Sequence, residues 1–177
     1  PKTKIDFLFV VDQSDSMLQE QESLARNFQN FSALIFEDLG DSADYRIAVV
    51  TTGDAGMPPK PLGQFVSQPN TTLEGLQNCA PQVDPILRPD IINAACPGGD
   101  DACLRNQLQT QFQCIAQVGA GGIIQEKGLE AMRLALSCNG PNGALYSPCC
   151  VDDGASGLIY NPTCTAGESM NFLRPDA

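Results

Sequence analysis

The sequence predicts an α/β fold in which parallel strands are buried between helices. Two observations carry this. Residues 5–11 form a nearly unbroken apolar run, Ile5 and Phe7 to Val11, which suits a strand covered on both faces. A long amphipathic segment then leads to a second, β-branched run over residues 45–52. The order strand, helix, strand implies a right-handed parallel crossover. With 177 residues, 42% of them hydrophobic and 18% charged, the chain suits one globular domain with a sizeable core.

Each element can be read in turn. The first helix is predicted over residues 17–39, with Leu18, Leu24, Ala25, Phe28, Phe31, Leu34 and Ile35 as its apolar stripe. Ser16 is its expected N-cap, Glu20 and Glu22 suit its first turns, and Gly40-Asp41 ends it. After the second strand come a turn-rich connection and a short edge strand over residues 62–66. Residues 67–101 read as a loop-like, cysteine-containing insertion. A helix of about four turns is expected from Asp101, with Leu104, Leu108, Phe112 and Ile115 facing the core. Gly119 to Gly122 form a loop, and a further helix is expected over residues 125–137, with Leu129, Met132, Leu136 and several alanines. Residues 138–177 read as a cysteine-rich tail stapled by disulfides, without a strong strand.

Composition excludes several functions. A net charge of −11 leaves no basic patch for nucleic acid or an anionic membrane. Without histidine there is no Ser-His or Cys-His catalysis. The eight cysteines lack the C-x-x-C pairs of a cysteine-only zinc site and read as disulfides, hence an oxidising compartment: secreted, periplasmic or cell-surface. Cys96 and Cys103 bracket a short loop that can close on itself, and Cys79 with Cys114 would tie the insertion to the following helix. Pairings among Cys138, Cys149, Cys150 and Cys164 stay open. No transmembrane segment is expected, and a start at Pro1 without Met suits a chain whose targeting segment has been removed.

The chemical signal lies directly behind the first strand. In Asp12-Gln13-Ser14-Asp15-Ser16 a carboxylate and two hydroxyls alternate through a tight strand-to-helix turn, aiming three hard oxygens at one spot. Hard oxygens suit Mg²⁺ or Ca²⁺, and Mn²⁺ by the same chemistry. The bland alternative is a helix cap. Gly119 to Gly122 lack a following Lys-Ser or Lys-Thr, which disfavours a phosphate-binding loop.

Residues 5–17, IDFLFVVDQSDSM, resemble the opening of von Willebrand factor type A domains. Residues 45–53, YRIAVVTTG, resemble that family's second strand. GGIIQEKGL, residues 121–129, sits where many members carry a Gly-Gly-Thr loop. The ending NFLRPDA, residues 171–177, is similar to cysteine-rich secreted bacterial members. The resemblance implies a doubly wound, mostly parallel sheet and a metal-ion-dependent adhesion site at the strands' carboxyl ends. Asp12, Ser14 and Ser16 would be its first-loop ligands, and a protein or surface ligand would complete the coordination with a carboxylate. Ile123 stands at the place of the family's threonine, for which Glu126 is the candidate substitute. Asp152, Asp153 and Asp176 do not match the family's second aspartate. Asp54, after the second strand, is a candidate for supporting the ligands.

The resulting expectation is a non-enzymatic adhesion or protein-binding module that uses a divalent cation. The alternative is a structural or assembly domain of a surface protein with a degenerate, metal-free site. An enzyme is disfavoured, since no tuned base or basic phosphate clamp accompanies the loop. The whole of residues 1–177 reads as a single domain of this kind that stops before its fourth strand. So hydrophobic a first strand needs a second neighbour, and a downstream segment, a separate chain or a partner would supply it.

Overall fold

The computed structural model describes residues 3–38, 43–53, 61–73, 76–82, 84–120, 127–155, 157–161 and 172. Strand β1 (Thr3–Val11) passes through a 3-10 turn (Asp15–Met17) into helix α1 (Leu18–Asp38), and strand β2 (Ala43–Thr51) follows. The two strands pair in parallel, from Thr3 opposite Ala43 to Val11 opposite Thr51. Each starts two residues earlier than its apolar run suggests. Next come helices α2 (Pro89–Ala95), α3 (Asp101–Ala116) and α4 (Gly128–Ala135), then a 3-10 turn (Gly143–Cys149) and an antiparallel hairpin of β3 (Cys150–Asp152) and β4 (Leu158–Tyr160). Among the described residues β1 has no strand partner besides β2.

Strand alternation divides the interior into two cores. Phe7, Phe9, Val11, Tyr45, Ile47 and Val49 pack with α1, α2 and α3. Leu8, Val10, Ala48 and Val50 pack with α4, the tail and Phe172. Helices thus cover both faces of the two-stranded sheet. The first core is built on aromatic rings. Phe28 and Phe112 stack with centroids 3.6 Å apart, and Phe9 meets Phe112 edge-on at 4.9 Å, which fastens α1, α3 and β1 to one another. Gln109 on α3 adds a side-chain bond to the Ala25 carbonyl of α1 at 2.6 Å.

Several sequence expectations are corrected. On α1 the buried line is Gln21, Ala25, Phe28, Ser32 and Ile35. Leu34 lies about 100° of helix rotation off that line and is 56% exposed, and Leu18, which opens the helix, is also exposed. Residues 62–66 form no strand. Ile47 on the outer edge of β2 exchanges both backbone bonds with Leu87, so Val66 reaches only the Val49 carbonyl. The 67–101 insertion is not all loop, because Pro89 at the first helical position and Asp90 in the first turn start α2, which buries Ile92. α4 is shorter than expected and turns its alanines inward: Ala131 and Ala135 are buried while Leu129 is 82% exposed. Small residues let α4 approach closely. At Gly63, whose φ is +82°, an added Cβ would lie 2.7 Å from the Ala131 carbonyl oxygen.

The disulfides brace the periphery. Cys79 pairs with Cys114 and Cys96 with Cys103, as their positions suggest, and Cys138 pairs with Cys150. Cys149 is disulfide-bonded too, and no described cysteine is free. Three intramolecular disulfides point to an oxidising compartment. No described helix is long and apolar enough to cross a membrane.

Two predictions follow from this packing. Phe112→Ala removes the ring on which Phe9 and Phe28 rest and should cost about 3–5 kcal/mol, read as a lower urea midpoint with disulfides intact. The second concerns pH. Burial, with the Asp90 charge adding to it, pushes the Tyr45 hydroxyl well above its ordinary value. Above pH ~10 the unfolded chain loses this proton and the folded one keeps it. Stability should therefore fall as pH rises, by about 1.4 kcal/mol per unit. Tyr45→Phe should remove that part of the slope between pH 9 and 11.5; an unchanged slope would contradict it.

Candidate functional site

Three chain segments meet at the carboxyl ends of β1 and β2, the position where open α/β sheets bind ligands. The first is the loop from Asp12 to Ser16. The second is the segment 117–120 that leaves α3. The third is the start of α4, where the Lys127 amide donates to the Thr52 carbonyl at 3.2 Å and Gly128 lies against Val10 and Thr52.

The loop is folded by its own side chains. The Ser14 amide donates to Asp12 Oδ1 at 2.7 Å, an Asx turn that holds the carboxylate at the head of the loop. The Met17 amide donates to the Ser14 carbonyl at 3.0 Å and closes the 3-10 turn. Ser14, in extended conformation, is the residue that precedes this turn, and its side chain makes no capping bond. The expectation of Ser16 as the N-cap is therefore corrected: Ser16 lies inside the turn. Its hydroxyl is hydrogen-bonded to that of Ser14, with the two oxygens 3.3 Å apart. Asp12 forms no ion pair with a described Lys or Arg.

This donor set fits a hard cation. Neighbouring oxygens around an octahedral Mg²⁺ at about 2.1 Å stand about 3.0 Å apart, and around Ca²⁺ at about 2.4 Å about 3.4 Å. The serine pair falls between these. Among the described residues no group of three or more His, Cys, Asp or Glu gathers anywhere. A cation here would rest on one described carboxylate, two hydroxyls and water. Glu126, Asp54 and the loop from Gly121 to Ile123 lie outside the described residues.

Three features escaped the sequence reading. Gln13 is 8% exposed and its Oε1 is buried with no hydrogen-bond partner, an acceptor within the loop that lacks a donor. Gln21, buried in α1, donates from Nε2 to the Asp12 carbonyl at 2.6 Å. Gly119 has φ +86°, and Asn70 occupies the space its Cβ would take. Only Gln21 had a visible signal: stepping the buried line Ile35, Ser32, Phe28, Ala25 back once lands on a polar residue.

A cavity of about 550 Å³ lies beside the Cys79–Cys114 bridge, lined by Pro81, Gln82, Arg88 and Ile91 among others. The Arg88 guanidinium in its wall pairs with Asp84 at 2.9 Å and Asp90 at 3.3 Å.

No family model, curated protein or solved structure matches the chain.

The glycine requirement is testable. Gly119→Ala must place a Cβ at positive φ against Asn70, and should cost about 1–3 kcal/mol in chemical denaturation. Gly98→Ala, where a Cβ meets nothing within 4 Å, should cost far less.

Proposed function

We propose that the chain is a von Willebrand factor type A-like binding module that holds a divalent cation at the Asp12–Ser14–Ser16 loop and captures a partner through a carboxylate. The observation that carries this is the facing pair of serine hydroxyls, 3.3 Å apart, beside an aspartate without a described ion-pair partner. In this reading Ser14 and Ser16 supply hydroxyl oxygens, and Asp12 binds directly or through water with the carboxylate oxygen not engaged by the Ser14 amide. The cation supplies Lewis-acid charge for an anionic ligand. With a single described carboxylate in the set, the bound site keeps net positive charge, and a partner Asp or Glu is the natural complement.

Helices on both faces of the parallel pair agree with the doubly wound sheet this reading requires. The three disulfides among the described residues agree with a secreted, periplasmic or cell-surface setting. The competing reading is a structural domain whose site has lost its metal, favoured by Ile123 at the threonine position.

Calorimetric titration with Mg²⁺, Ca²⁺ and Mn²⁺ separates the two. One saturable site with Kd of about 10⁻⁴–10⁻³ M is expected, given so few charged ligands. Asp12→Ala should abolish it, and an acidic peptide should bind only when the ion is present. Equal heats from the wild type and Asp12→Ala would leave the structural reading standing.

A further inference from the structure

Gln21 is a buried side chain that hydrogen-bonds two of the three segments at the site. It is 3% exposed. Its Nε2 donates to the Asp12 carbonyl at 2.6 Å and to the Gly119 carbonyl at 3.2 Å, and its Oε1 accepts the Gly119 amide at 3.0 Å. Both backbone groups of Gly119 are thus read by one side-chain amide, as a neighbouring peptide would read them in a β-ladder. The remaining donor goes to the first residue of the D-x-S-x-S loop. It goes to the backbone of Asp12, which leaves the carboxylate for other work.

The residue type is dictated by this task. Two carbonyls need donors and one amide needs an acceptor, all within reach of one position on α1. Glutamine has both functions at that length. Glutamate in its ionised form has no donor, lysine and arginine have no acceptor, and asparagine is one methylene shorter. The far side of the segment is fixed independently. Asn70 Nδ2 donates to the Val118 carbonyl at 3.2 Å, and Asn70 packs where Gly119 would carry a side chain. The Gln117 amide still bonds back to the Gln113 carbonyl at the end of α3. Held on these sides, the segment has little freedom to absorb a displacement, so a shift at Gly119 passes through Gln21 to Asp12.

We propose that Gln21 is a positioning residue that locks the D-x-S-x-S loop to segment 117–120, so that the two move as one unit and the cation affinity depends on a residue that supplies no ligand. The affinity part rests on the cation-binding reading above; the locking part does not.

The test uses Gln21→Met, which keeps length and bulk but cannot bridge the three backbone groups, and Gln21→Glu, which keeps only the acceptor. Asn142→Leu is the matched control. Asn142 is also a buried amide strut, bonded to the Phe65 amide and to the Gly63 and Ala135 carbonyls, with no described bond to the loop. Mn²⁺ binding is followed by the paramagnetic resonance of the free ion, and amide exchange by NMR at Ser14 and Gly119, with Phe112 and Ile115 as core reporters. The expected result is Mn²⁺ affinity at least tenfold weaker in Gln21→Met and in Gln21→Glu, but within twofold of wild type in Asn142→Leu. Exchange at Ser14 and Gly119 should accelerate together, while the core reporters stay protected. Wild-type Mn²⁺ affinity in a Gln21→Met protein that has lost Gly119 protection overturns the proposal. If the wild type binds no Mn²⁺, the cation reading falls by itself and exchange decides the lock: Ser14 and Gly119 accelerating together uphold it, and Gly119 accelerating alone refutes it. If Gln21→Met does not fold, Gln21→Glu is judged by the same readings.

Discussion

The parallel ladder between β1 and β2 is the constraint on which the rest of this structure depends. Its register, Val11 opposite Thr51 at the carboxyl end, decides which side chains face which helices. Phe7, Phe9, Ile47 and Val49 go to the aromatic core under α1 and α3, and Leu8, Val10, Ala48 and Val50 to the tighter core under α4. A slip of one residue in either strand would exchange its two sets. Rings made for the Phe28–Phe112 stack would then meet Ala131 and Ala135, where there is no room for them. The same register brings the ends of both strands level, and the Thr52 amide caps the ladder by donating to the Val11 carbonyl. The candidate site is built on that level end.

The two faces use different packing chemistry for a reason visible in the residues. α1 and α3 stand off the sheet on phenylalanines, whose buried area and edge-to-face geometry favour one arrangement over many. α4 lies close, because Gly128 and two alanines face the strands, and it admits the chain at Gly63 and the strut at Asn142. The close layer leaves few side-chain contacts to hold it. The buried amide network of Asn142 and the Cys138–Cys150 bridge just beyond α4 supply what packing does not.

The parts of the fold legible in the sequence were those where one signal dominated. The run over residues 5–11, apolar except for Asp6, became a strand, though only Val11 of it is fully buried and the rest is half-buried, and Leu104, Leu108, Phe112 and Ile115 at helical spacing formed a core face. The Cys96–Cys103 pairing followed from proximity along the chain. What stayed hidden depended on competition between distant segments. Residues 62–66 have strand composition, but Leu87 takes the ladder position they would need. α4 looked like a leucine-faced helix, yet it turns Ala131 and Ala135 to the core and Leu129 outward. Neither fact is local, so no window of sequence contains it. In the candidate loop, the approach of the Ser14 and Ser16 hydroxyls was legible because alternation in a tight turn implies convergence. Gln13 was not, because a glutamine in a loop carries no pattern, and Gln21 showed only its place on the buried line of α1, since its task depends on partners far along the chain.

The site and the staples occupy different parts of the molecule, and this division has a physical logic. The three described disulfides fasten the insertion to α3, close the loop before α3, and tie the tail beyond α4. None touches the loop from Asp12 to Ser16. That loop is held by an Asx turn, a 3-10 closure and the Gln21 amide, which are hydrogen bonds of modest individual strength. A covalent frame keeps a long, loop-rich periphery from unravelling by restricting the unfolded chain. Hydrogen bonds hold the loop's oxygens in place without fixing them, so the serines and the aspartate can adjust by tenths of an ångström. Under the proposed function, a module braced for an oxidising compartment gains from keeping these two kinds of restraint apart.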